Sequence, residues 1–164
     1  FWFNRMNNMP LLHAYVGFGF PMLAVFYKKV LEGFISGAVI YSVAIVFFLL
    51  SVLNSLFLQS VFTFNSYALT LKSVLLIIFS LTTYILLLNE TVKEQRKSLV
   101  STINWINSGI FMYYVSNLLI FYFSGYFSRY FSLKFNLYTW VVHSFFSMVM
   151  YTFFFIGLWK RPKN

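Results

Sequence analysis

The 164-residue chain is 60% hydrophobic and 24% aromatic, with only 9% charged residues and a formal net charge of +9. Soluble domains carry about a quarter charged residues, so most of this surface is not built to face water, and the class is integral membrane protein. There is no cysteine, which excludes disulfides, thiolate nucleophiles, iron–sulfur clusters and cysteine zinc sites. Aspartate is absent too, leaving Glu32, Glu90 and Glu94 as the three acids.

The twelve cations sit singly or in small clusters between apolar runs, as membrane flanks do. The bilayer is therefore the expected partner, and nucleic acid is not. Runs long enough to cross about 30 Å of hydrocarbon at 1.5 Å per residue fall at 11–31, 36–58, 67–89, 104–126 and 138–159. The runs are continuous and do not alternate on a period of two, which argues against strands. The predicted fold is an all-α, polytopic transmembrane helix bundle, one transmembrane domain over 1–164. Because the chain opens on Phe1 rather than Met, N-terminal residues or helices are expected before it.

The first span follows "NNMPLLHAYVGFGF", residues 7–20, which places His13 one turn inside the apolar run. Pro21 lies mid-span and is expected to kink the helix by removing one hydrogen bond. "GFISG", Gly33 to Gly37, matches G-x-x-x-G and reads as a turn followed by a packing face. The second span ends near Asn54 and Gln59; the third opens at Asn65 and carries Lys72 about two turns in. "ETVKEQRKSLVST" and "YFSRYFSLKFN" read as the connections on either side of the fourth span, which carries Asn117 near its middle. His143 sits one to two turns inside the fifth.

Lysine and arginine in alternate connections divide four to eight: Arg5, Lys72, Arg129 and Lys134 against Lys28, Lys29, Lys93, Arg96, Lys97, Lys160, Arg161 and Lys163. The richer side is expected in the cytoplasm of a cell whose inner (plasma) membrane holds the protein as a multi-pass chain, with its C-terminus inside. That orientation collects His13, Tyr15, Asn54, Lys72 and His143 in the outer half, as a candidate ligand-binding pocket. Ionisable groups at such depth are functional hypotheses by default. The bland alternatives are also open: His13 as an interfacial anchor, Lys72 snorkelling along its stem, His143 bonded to a neighbouring helix.

No carboxylate lies inside a span, no Ser–His–Asp set is possible without Asp, and neither H-E-x-x-H nor a Gly-rich phosphate loop occurs. The expectation is a non-enzymatic protein, without catalytic residues, metal or cofactor, that senses or couples a signal with a membrane or cytoplasmic protein partner. The alternative is a small subunit of a respiratory or transport complex, with His13 and His143 as axial haem ligands. "NNMPLLHAYV", "NSLFLQSVFTFNS", "INSGIFMYYVSNLLIFYF" and "HSFFSMVMYTFFFIGL" resemble an uncharacterised bacterial inner-membrane protein family. Its members have about seven helices and are often encoded beside sensor histidine kinases. The resemblance implies further helices before Phe1 and an association with signalling. The family pattern carries Glu where this chain has Gly19, and often where it has Lys72, so a carboxylate-dependent role does not transfer.

Overall fold

A computed structural model describes residues 8–160; Arg5, Arg161 and Lys163, which entered the charge count, lie outside them. The described residues form α1 (Met9–Val30), α2 (Gly37–Leu53) with a π-helical turn over Asn54–Leu58, α3 (Ser66–Leu88), the short α4 (Glu90–Gln95), α5 (Lys97–Tyr130) and α6 (Leu133–Trp159). No strand occurs among them. Five helical stretches are long and apolar enough to cross a membrane: Met9–Val30, Gly37–Leu58, Ser66–Leu88, Lys97–Ser124 and Leu137–Trp159.

Those stretches match the five expected spans, but two connections differ. "ETVKEQRKSLVST" is not a loop: Asn89 caps α4 by accepting from the Val92 amide at 3.4 Å, and α5 already begins at Lys97. "YFSRYFSLKFN" is reduced to a break at 131–132, because Ser132 accepts from the Phe135 amide at 3.3 Å and starts α6. In both places one side-chain oxygen satisfies an otherwise unpaired first-turn N–H, and helix follows immediately.

The single domain read from the sequence divides into two compact units, one ending at Lys72 and the other beginning at Ser73, with α3 contributing to each. In the first unit α1 packs on α2. Its buried positions His13, Val16, Gly17, Phe20, Ala24 and Tyr27 recur at three- and four-residue steps and form one stripe. It meets the stripe Ile40, Ala44, Phe47 and Ser51 of α2, with the Phe20 and Phe47 ring centroids 4.5 Å apart. α1 runs unbroken through Pro21, so the Gly17 carbonyl has no intrahelical donor. Gly33 turns the chain out of α1 at φ +84°, a left-handed conformation that costs any residue with a Cβ.

The second unit is organised by α5 against α6. A Cβ on Gly157 would stand 2.9 Å from Ile106 Cγ1 and 3.2 Å from the Thr102 carbonyl, and one on Gly109 2.9 Å from Phe153 Cβ. The two helices approach closely because each places a glycine at the crossing, the usual means of helix association in lipid. Asn107 donates to the Ser80 carbonyl at 3.1 Å, and the Tyr84 hydroxyl to Ser108 Oγ at 2.8 Å, tying α5 to α3. Gly157→Leu is expected to lower stability by about 1–3 kcal/mol through overpacking, read as an earlier thermal melt in detergent micelles, whereas Phe155→Leu on the exposed side of α6 leaves the melt unchanged.

Candidate functional site

Four of the five predicted site residues lie in the first unit, where the start of α1, the π-helical turn and the start of α3 come together. His13 is buried. Its Nε2 lies 3.1 Å from the Thr63 carbonyl and its Nδ1 2.7 Å from Ser55 Oγ. A carbonyl only accepts, so Nε2 carries the proton, and in the neutral ring Nδ1 accepts from Ser55. The Ser55 hydroxyl also has the Ser51 carbonyl at 3.0 Å, so its one proton has two acceptors in reach. His13 thus ties α1 to both α2 and the 59–65 segment.

Asn54 belongs to a second, adjoining network. Its Nδ2 donates to Asn65 Oδ1 at 2.9 Å and to Gln59 Oε1 at 3.1 Å. Gln59 in turn donates to Ser66 Oγ at 2.8 Å and accepts from the Tyr67 amide at 3.2 Å. The π-helical turn brings Gln59 into line: the Gln59 amide bonds to the Asn54 carbonyl five residues back, at 2.8 Å. Among the described residues the buried Asn54 Oδ1 and Asn65 Nδ2 have no hydrogen-bond partner. Beside His13 a cleft of about 320 Å³ opens between α1 and α2, walled by Phe18, Phe48 and Val52 and touching Ser51 and Ser55.

Lys72 and Tyr15 form the third element. Lys72 is 1% exposed, and its Nζ lies 4.5 Å from the centroid of the Tyr15 ring, a cation–π distance. It does not snorkel. The stem instead carries the amine inward to Gly19, where a Cβ would stand 2.7 Å from Nζ; the missing side chain is the space the amine occupies. Among the described residues Lys72 has no ion pair and no hydrogen bond.

His143 lies in the second unit and is described there by itself. Its Nδ1 is 3.1 Å from Asn117 Oδ1, and Asn117 is held by donating to the Tyr113 carbonyl at 2.8 Å. Rings of Tyr113, Phe121 and Trp140 surround it at 5.6, 5.6 and 5.3 Å. Asn117, which reads from sequence as mid-span helix glue, orients this imidazole.

Sequence reasoning picked out Asn54, Gln59 and Asn65 as polar but missed Ser55 and Thr63, the partners of His13, and Gly19, the seat of Lys72. The four-residue spacing of Tyr15 and Gly19 was a usable signal, since it puts ring and gap on one face of α1. Among the described residues no three metal-ligating side chains come together. Both ring nitrogens of His13 are engaged, which opposes its use as an axial haem ligand.

Purified protein is accordingly expected to show no Soret band on reduction; a band lost in His13→Ala would reverse this. Ser55→Ala and His13→Ala are expected to be non-additive by about 1 kcal/mol, the usual worth of a polar contact between membrane helices, in a double-mutant cycle of micelle unfolding. Simple additivity would show that the bond contributes nothing. No protein-family model, curated protein or solved structure matches the chain.

Proposed function

We propose that this is a non-enzymatic membrane protein of the sensing or signal-coupling kind, which works through a second protein in or at the membrane. One observation carries the reading: a lysine amine buried at 1% exposure inside an apolar span, with no acid beside it. An ionisable group in that position costs several kcal/mol and is retained where it serves a function. The surrounding polar networks of His13 and Asn54 join three segments of one unit, so a change at any one is felt by the others.

In this reading the 59–65 end of the unit faces outward. The basic end, with Lys28, Lys29, Lys93, Lys97 and Lys160, faces the cytoplasm of a cell whose plasma membrane holds the protein. Two of these cations lie against aromatic rings, Lys28 Nζ 4.7 Å from Tyr41 and Lys160 Nζ 5.0 Å from Trp105, as interfacial anchors do. The others are available to anionic lipid or a cytoplasmic partner.

Photocrosslinking tests the dependence on a partner. With p-benzoylphenylalanine in place of Tyr15, on the exposed side of α1, irradiated native membranes are expected to give a discrete heavier adduct. Replacement of Ile45, exposed on α2, serves as the control and gives none. No adduct at position 15, or the same adduct at both positions, would remove the coupling reading.

A further inference from the structure

We propose that Lys72 is the docking point for a transmembrane helix of a partner protein that carries one carboxylate near its centre. The inference rests on the coupling reading above and names the chemistry of the partner.

Depth is the first argument. α1 runs Met9–Val30, about 33 Å at the helical rise, and Gly19 lies about 15 Å along it, near its midpoint. The Lys72 amine, seated against Gly19, is therefore at mid-helix. A phospholipid phosphate sits beyond a hydrocarbon half-thickness of about 15 Å and does not reach it. A free anion would have to shed its water to arrive there. A carboxylate borne on a helix is inserted at that depth with the helix, at a few kcal/mol.

The chain's own acids are the second argument. Glu32 follows the end of α1, about 20 Å further along its axis than Gly19, and Glu90 follows α3 about 27 Å beyond Lys72. A second copy with the same orientation would place the same glutamates at the same helix ends. Neither this chain nor its copy supplies the counter-charge.

Surface shape is the third. Leu11, Tyr15 and Met22 are 73%, 56% and 75% exposed, and with Gly19 they recur at i, i+4, i+8 and i+11 on one face of α1. Large apolar side chains thus flank a position without a side chain, under which the amine lies. The Tyr15 ring now covers the amine on that face. A rotation about its χ1 would uncover Nζ to a carboxylate on a helix laid along the seam.

The test uses the full chain in phosphatidylcholine vesicles and a synthetic Leu/Ala transmembrane peptide with one central Asp. Asn- and Leu-centred twins of the peptide serve as controls. Because the chain has no cysteine, Phe62→Cys provides a single labelling site for resonance energy transfer. The Asp peptide is expected to associate about tenfold more tightly than its twins. Lys72→Arg keeps the preference, Lys72→Met abolishes it, and Lys72→Glu turns it toward a Lys-centred peptide. Lys72→Met is expected to fold at least as stably as the parent, since it removes an unpaired buried charge. An Asp peptide no better than the Asn twin, or a preference that survives Lys72→Met, would overturn the proposal. The assay contains no native partner, so its outcome is separable from photocrosslinking: an adduct at position 15 without an Asp preference keeps the coupling reading and removes the carboxylate, and the converse result does the reverse.

Discussion

Hydrocarbon accepts and donates no hydrogen bonds, and nearly every feature of this chain answers to that constraint. The backbone meets it by remaining helical through five long stretches. Side chains meet it locally: Thr83, Thr139, Ser144, Ser147 and Thr152 each return a hydroxyl to the carbonyl four residues back. His13, Asn54 and Gln59 meet it by bonding across segments, and these bonds set how α1, the π-helical turn and the start of α3 come together. Lys72 is the exception, with an aromatic face in place of a hydrogen bond.

The spans were legible in the sequence because they follow from composition over some twenty residues, which local detail does not disturb. Their ends were less so. Charge and polarity in "ETVKEQRKSLVST" and "YFSRYFSLKFN" suggested loops, yet single capping oxygens on Asn89 and Ser132 suffice to start helices there. Hydropathy does not register a cap, since the same polar residues suit a loop and a helix start. The expected interruption of α1 at Pro21 is likewise not a break in the helix.

The site was legible as a set of unusual residues, not as an arrangement. Depth counting brought Asn54, Gln59 and Asn65 to one level, and they do bond to one another. It grouped His13 with Lys72, yet each is engaged elsewhere, the first with Ser55 and Thr63, the second with Tyr15. Those choices depend on helix rotation and on a glycine, which a count of residues per turn resolves poorly. His143 shows the same limit: its partner Asn117 is 26 positions away on another helix, and no spacing in the sequence announces it.

The π-helical turn carries a consequence for how this segment can vary. Its one additional residue brings Gln59 under the Asn54 carbonyl and, in the same step, into reach of Ser66 and Tyr67. Removing any residue from Asn54–Leu58 would restore ordinary helical spacing and turn everything beyond it by about 100°. Gln59 would then leave the amide network, and Thr63 would shift away from His13. Chain length is thus fixed across this stretch while side-chain identity on its exposed positions, Leu56, Phe57 and Leu58, is not: the segment admits exchange of residues far more readily than gain or loss of one.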